Sequence, residues 1–508
     1  MKIDYYPDGM SMWDTWGLTH NGLAHMFYLQ FYGQDSTRDP ADADWLGHAT
    51  SPDLLHWTER PLAIGPGPAG GPEDMQPWTG SLVEHAGTFY FYYTMRSSVD
   101  GGYGQKIGLA TSQDLEHWER YPGNPVLVPD DRWYVSYERP LAEHTVDCRD
   151  MVVIPDPNGE GWLGYFAARV HPGTAPETAA IGLARSTDLI HWEQSPPVFV
   201  PGNISAIEVP DVYQIDGTWY LTCLTGNRYG NRGFFSDPTV ILGTIYAVAE
   251  RAEGPYYMHP DDNVLLGGQT YSAYTCRTME FHGERVMFYT QSVPKGPATV
   301  SPPMALRTLP GKRLRLGFSE HAKGRRQRML IAPGQTPSIT QLPFTQFFWA
   351  LNGGTWQLQD GIYHGEAQTG WQTADLGIGA EAIEFSASVT LHEGAAVGFL
   401  FRPDTHAKHS GSDQKGDFIF YLDAEQQQVA AARLPAFIEP HVRRLAIEHG
   451  RTYALRLCIR PPRFELFVDD ILVLQGALAW LPTPAPSVGL FVDRGIADVS
   501  NLELYELG

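Results

Sequence analysis

One phrase occurs three times in this chain and constrains its fold more than any other feature: Gly47-His-Ala-Thr-Ser-Pro-Asp-Leu-Leu-His-Trp57, Gly108-Leu-Ala-Thr-Ser-Gln-Asp-Leu-Glu-His-Trp118 and Gly182-Leu-Ala-Arg-Ser-Thr-Asp-Leu-Ile-His-Trp192. Each copy reads as a strand, a polar turn and a tryptophan that opens the next strand. The Ser-x-Asp-Leu element suits a turn whose side-chain oxygens bind nearby backbone amides. The tryptophan supplies a large apolar anchor between stacked sheets. The recurrence of His48, His56, His117 and His191 in these phrases points to blade packing rather than catalysis.

A second phrase, a hairpin with an aromatic return strand, alternates with the first. Its five copies pair Leu18–Gly22 with His25–Tyr32, Ser81–Gly87 with Phe89–Tyr93, Met151–Ile154 with Trp162–Phe166, Val212–Gly217 with Trp219–Thr222, and Met279–Gly283 with Val286–Tyr289. Glycine or Asn-Gly at the turns marks them as hairpins. Hairpin plus outer strands gives a repeating four-stranded unit, the pattern of a propeller blade. The sequence therefore predicts an all-β protein with a five-bladed β-propeller over residues 1–335. The basic cluster Lys323 to Arg328 reads as a solvated edge at a domain junction. Alternating strands at 382–391, 418–422, 453–458, 464–468, 487–492 and 501–505 predict a second all-β domain over 345–508, most simply a β-sandwich.

Composition narrows the function. A net charge of −22 argues against nucleic acid or an anionic membrane as partner. Cys148, Cys223, Cys276 and Cys458 are scattered without metal-type spacing, so free buried thiols are expected. No stretch is long and apolar enough to span a bilayer, and the first residues lack the pattern of a signal peptide, so a cytoplasmic location is expected.

A propeller gathers the starts of its innermost strands around one funnel. Reading back from each hairpin brings Asp14, Asp150 and Glu208, from three blades, to one mouth at what read as equivalent blade positions. Trp13, Trp16 and Trp78 beside them would offer flat apolar surfaces to a sugar ring. Glycoside hydrolysis needs one carboxyl to donate a proton and another to act as nucleophile or base. Tyr271, in the tract that opens the fifth blade, is a further candidate for substrate contact.

These residues resemble glycoside hydrolase family 32, the invertase, inulinase and levanase group, which shares a clan with family 68. The family's Trp-x-Asn-Asp-Pro-Asn-Gly is similar to Trp13-Asp14-Thr15-Trp16-Gly17, running into Phe27-Tyr28-Leu29-Gln30. Its Trp-Gly-His-Ala-x-Ser-x-Asp-Leu-x-His-Trp is matched by Leu46-Gly47-His48-Ala49 through Trp57. Trp78-Thr79-Gly80-Ser81 resembles its Phe-Ser-Gly-Ser, Arg149-Asp150-Met151 its Arg-Asp-Pro, and Glu208-Val209-Pro210-Asp211 its Glu-Cys-Pro-Asp. The resemblance implies a retaining β-fructofuranosidase with Asp14 as nucleophile, Glu208 as acid/base and Asp150 as transition-state stabiliser. It implies Arg149, Gln30 and Ser81 as pocket residues, and no metal or organic cofactor. Glu208 would begin protonated and Asp14 ionised.

Around Asp14 the family's asparagines and proline are replaced, which leaves the sugar and its linkage open. Three alternatives also stay open at this point: an inverting arabinofuranosidase or xylosidase of the family 43 type, a fructosyltransferase, and a sugar-binding protein without catalysis. The expected partner is a small oligosaccharide or furanoside, with a homo-oligomer through the sandwich as an open alternative.

Overall fold

The computed structural model describes residues 4–33, 38–140, 146–173, 177–226, 240, 242–268, 273–274, 277–291, 297–342, 354–403, 416–434, 438–477 and 486–508. Tyr271 and Cys276 lie outside the described residues. The chain divides into two units, Lys2–Ala322 and a second comprising Lys323–Gly508 with Met1.

The first unit contains four separate four-stranded antiparallel sheets in chain order. They are β1 (Met10–His20), β2 (Leu23–Tyr32), β3 (Gly47–Ser51) and β4 (Thr58–Glu59); then β5 (Trp78–His85), β6 (Thr88–Met95), β7 (Lys106–Ser112) and β8 (Glu119–Arg120). They continue with β9 (Cys148–Pro155), β10 (Trp162–Arg169), β11 (Ala179–Ser186) and β12 (Glu193–Phe199); then β13 (Glu208–Ile215), β14 (Thr218–Gly226), β15 (Leu242–Ala249) and β16 (Val264–Gly268). The first strand of each sheet packs against the first strand of the next, β1 on β5, β5 on β9 and β9 on β13. This is a propeller-like arrangement with the first strands innermost.

Four such sheets stand apart, not the five expected. In the fifth repeat, Thr278–Phe281 pairs with Glu284–Met287, while Ala273–Tyr274, Thr290–Gln291 and Thr299–Val300 form a separate small ladder. Thr278–Phe281, Glu284–Met287, Met304–Leu309 and Arg313–Phe318 pair in that order, but they do not stand as a separate sheet as the other four do.

Apolar clusters fill the spaces between successive sheets, and the repeated tryptophan enters three of them. Trp118 lies edge-on to Phe91 at 5.0 Å, among Trp16, Phe27 and Tyr93. Trp192 meets Tyr92 at 5.7 Å, and Trp57 meets Phe288 of the fifth repeat at 5.8 Å. Edge-to-face pairs of this kind contribute about 0.5–1.5 kcal/mol beyond area burial. The Met12, Met26 and Leu54 cluster reaches Met279 and Phe281, joining the first sheet to the fifth repeat.

The Ser-x-Asp-Leu turns form as expected. Asp53, Asp114 and Asp188 each accept two backbone amides through Oδ1. Leu54, Leu115 and Leu189 follow with φ near +67° and buried side chains, a left-handed position that the surrounding bonds and burial must hold. The histidine expectation is corrected in part. His48 is buried and stacks on Phe27 at 4.2 Å. His56, His117 and His191 are exposed, and each donates Nδ1–H to its own turn aspartate at 2.7 Å, so they brace turns rather than pack blades.

The second unit is all-β around a core that includes Phe385, Phe399, Phe420, Leu457, Leu466 and Leu490. Two strands are longer than the sequence pattern shows: Ile383–Arg402 and Ser487–Leu507 pair with each other along their length, with register shifts at 386/388 and 391/393. The first half of Ile383–Arg402 pairs with Thr452–Arg460 and the second with Phe418–Asp423. Arg326–Ile331 pairs with Ser487–Leu507, so the basic cluster belongs to the second unit, not to a propeller reaching residue 335. Nor is it a solvated edge throughout. Arg326 binds the buried Glu384, which Arg456 also binds, and Arg328 binds Glu506 at 2.8 Å. Cys148, Cys223 and Cys458 are free and buried. Among the described residues no helix is long and apolar enough to cross a membrane.

Candidate active site

The innermost strand of each four-stranded sheet carries the same irregularity. Two residues of the inner strand oppose one of its partner between Met12 and Thr15, Trp78 and Ser81, Arg149 and Val152, and Glu208 and Asp211. An inserted residue of this kind bends a strand and re-aims its side chains, and such bulges concentrate at sheet ends and functional sites. At the second sheet, a Cβ on Gly80 would lie 2.0 Å from the Tyr92 carbonyl, so the bulge there requires glycine.

Counted from the bulge, the three carboxylates are not at equivalent positions, as the sequence reading had placed them. Glu208 precedes its bulge, Asp150 is the first inserted position and Asp14 the second. Asp150 has φ of 56°, and Val209 at the matching position has φ of 50°, strained values for non-glycine residues. The stagger still brings the groups together. Asp14 feels the charges of Asp150 and Glu208, and Arg149 lies 3.5 Å from Asp150 Oδ2 and 3.6 Å from Glu208 Oε1.

Each carboxylate has a distinct environment. Asp14 is buried and accepts the Thr79 hydroxyl. Burial, then the neighbouring charge of Asp150, pushes its pKa up to about 7. Asp150 is buried, accepts the Val209 amide at 3.0 Å, and donates its own amide to Thr94 Oγ1 at 3.0 Å. Burial raises it to about 6, against the opposing pull of Arg149. Glu208 is the most open of the three, with 23% of its side chain exposed. The expectation of an ionised Asp14 therefore meets a shift in the opposite direction.

Arg149 is buried and held by Asp147 at 2.9 Å, Gln105 at 3.1 Å and the Ile207 carbonyl at 3.2 Å. Asp147 in turn binds Arg169 at 2.6 Å. Arg277 is buried and donates to the carbonyls of Gly80 and Asp150, the latter at 2.5 Å.

The other expected residues divide. Trp13 and Trp78 remain half-buried beside the site, with Arg96 over the Trp78 ring at 3.7 Å. Trp16 is 3% exposed and packs edge-on against Phe91, so its ring belongs to the core between sheets and offers no free face to a sugar. Gln30 is fully buried and donates to the Asp42 carbonyl at 2.7 Å, fixing the backbone of the 40–44 turn. Ser81 and Trp16 line a cavity of about 460 Å³ further along the inner strands, with Val152–Pro155, Asp211–Gln214, Arg277 and Thr278. None of the three carboxylates lines it, so this cavity is distinct from the carboxylate site.

Sequence reasoning missed Thr79, Thr94, Asp147, Arg169 and Arg277. A buried arginine needs a counter-charge, and Asp147 two residues before Arg149 was a usable signal. Arg277 carried none, because its partners are backbone carbonyls of two distant strands. Among the described residues no group of three His, Cys, Asp or Glu side chains is arranged to hold a metal ion.

Comparison with known proteins agrees with this arrangement. The family model described as the Glycosyl hydrolases family 32 N-terminal domain matches residues 12–234. The chain is 30% identical over 214 residues to a levanbiose-producing levanase of Bacillus subtilis, covering 40% of this chain and 36% of the relative. It is 26% identical over 208 residues to an invertase of Schizosaccharomyces pombe, covering 38% and 31%. The matched region thus spans about a third of the length of these relatives. Among solved structures, an exo-inulinase from Aspergillus awamori aligns over 100% of this chain and 98% of its own, with a TM-score of 0.69 at 17% identity. A Bombyx mori GH32 beta-fructofuranosidase mutant in complex with sucrose aligns over 98% and 91%, with a TM-score of 0.66 at 19% identity. At these identities the structures attest the fold.

Proposed function

We propose that the chain, whose residues 12–234 match the family 32 N-terminal domain, is a glycoside hydrolase of family 32 that hydrolyses terminal β-fructofuranosides with retention of configuration. The observation that carries the reading is the convergence of Asp14, Asp150 and Glu208 from three bulged inner strands, two buried and one open. Asp14 attacks the anomeric carbon of the fructosyl unit. Glu208, at the open side, donates a proton to the departing glycosidic oxygen. The fructosyl–Asp14 ester is then hydrolysed by a water from which Glu208 removes a proton, returning both groups to their starting states.

Asp150 is held by Arg149 and the Val209 amide, and it accepts sugar hydroxyls while positive charge develops at the anomeric centre. Trp13 and Trp78 flank the ring. The relatives are a levanase and an invertase, and one structural neighbour holds sucrose, which supports a terminal fructosyl unit as the recognised group. We read the strands Thr278–Phe281, Glu284–Met287, Met304–Leu309 and Arg313–Phe318 as a fifth blade, because Met279 and Phe281 pack on the first sheet. The second unit reads as a sandwich, because Ile383–Arg402 pairs with different partners in its two halves.

Fructose release from sucrose, levan-type and inulin-type oligosaccharides, with proton NMR of the first-formed anomer, tests this reading. Release of β-fructofuranose supports it. Inverted product, or arabinose release from aryl arabinofuranosides alone, overturns it. Fructosyl transfer to sugar at high substrate concentration would place the same intermediate in a transferase.

A further inference from the structure

Arg277 addresses four strands of the propeller at once. It precedes Thr278–Phe281 of the fifth repeat and donates to the Gly80 carbonyl on β5 and the Asp150 carbonyl on β9. It faces the carboxylate of Asp211 on β13 and acts on the charge of Asp14 on β1. It is buried, and it lines the axial cavity that lies beyond the carboxylates along the inner strands. Burying an arginine costs several kcal/mol unless its charge is answered. Here two carbonyls and three carboxylates answer it.

The geometry points to Arg277 as a positioning residue of the catalytic site: anchored by two blade carbonyls, its fixed guanidinium supplies the positive charge that lets Asp14 and Asp150 ionise side by side. This rests on the reading of Asp14 as nucleophile. Two buried carboxylates that share a site resist double ionisation. Asp14 is opposed by Asp150 and Glu208 and relieved by Thr79 and Arg277. Asp150 is opposed by Glu208 and relieved by Arg149, the Val209 amide and Arg277. Arg149 is already committed to Asp147, Gln105 and the Ile207 carbonyl. Arg149 remains the stronger influence on Asp150, whereas Arg277 acts on both aspartates.

The anchoring and the charge separate by substitution. Arg277→Gln removes the charge, and Arg277→Lys keeps it while losing the forked pair of carbonyl bonds. The acid limb of kcat/KM for fructose release is expected to move to higher pH by about one unit or more in Arg277→Gln, and by clearly less in Arg277→Lys. Asp211→Asn, which frees the guanidinium from its own carboxylate, is expected to move the limb to lower pH, and it serves where Arg277→Gln does not fold. A limb that stays in place in Arg277→Gln, or moves equally in Gln and Lys, overturns the proposal.

A substrate-free measurement keeps the two readings apart. In 13C-carboxyl-labelled protein the Asp14 resonance is identified by its loss in Asp14→Asn. Its midpoint is expected to rise in Arg277→Gln whatever sugar the enzyme takes. A wild type silent on every fructoside would sink the reading of function, whereas an unmoved Asp14 midpoint would sink the role of Arg277.

Discussion

At the outer turns of the propeller, Asp53, Asp114 and Asp188 are each surrounded by donors. Two backbone amides and one imidazole bind each, and their carboxyls titrate below the ordinary range. For Asp53, burial works the other way, yet the bonds from His56 and the turn amides bring it down to about 2. At the axis of the same blades, Asp14 and Asp150 are buried among other carboxylates and pushed up to about 7 and 6. The same residue type thus stabilises the fold at one end and stores electrostatic strain at the other. The turn phrase can repeat almost unchanged because its task repeats. The bulged positions cannot, because each blade contributes a different group to one site.

The strongest way to break this contrast is to neutralise the axis. Asp14→Asn and Glu208→Gln are each expected to lower kcat by about 10³-fold or more, measured as fructose release, and their effects should not add in the double variant. Stability should move the other way. Asp14 rises from an ordinary 3.8 to about 7 on folding, so the folded chain holds this proton more tightly than the unfolded one. Stability contributed there falls as pH rises from about 4 to 7. Asp14→Asn is therefore expected to gain on the order of 2 kcal/mol at pH 8, with the gain shrinking toward zero near pH 4, as read by denaturant unfolding.

Smaller effects belong to the turns. Asp114→Ala should cost about 1 kcal/mol through lost turn amides, as for a lost helix cap, and leave kcat unchanged. Its contribution is present above the ordinary aspartate range and lost as pH falls below it. His117→Ala, which removes one exposed ion pair, should leave stability nearly unchanged. A turn variant that altered kcat, or an axis variant that did not, would erase the distinction.

Much of this was legible in the sequence because local chemistry carried it. The Ser-x-Asp-Leu turn, its tryptophan wedge and the aromatic hairpins predict blades, and the three carboxylates follow from reading back to the strand starts. The stagger at the bulges was not legible, since register depends on which residues of the partner strand are bonded. Trp16 and Trp13 look alike in sequence, yet only the strand geometry turns one ring into the core. The divided fifth repeat and the end of the first unit at residue 322 also depend on pairings. Arg326 reads as a surface cation until Glu384, far along the chain, is seen beneath it.

The account stands most directly on Asp14 as the group that bonds to the sugar. Glu208→Gln enzyme incubated with a fructoside bearing a good leaving group should accumulate one fructosyl unit by intact mass. Peptide mapping should then place it on Asp14. A label on Asp150, or rapid turnover to inverted product with no label, would contradict the account.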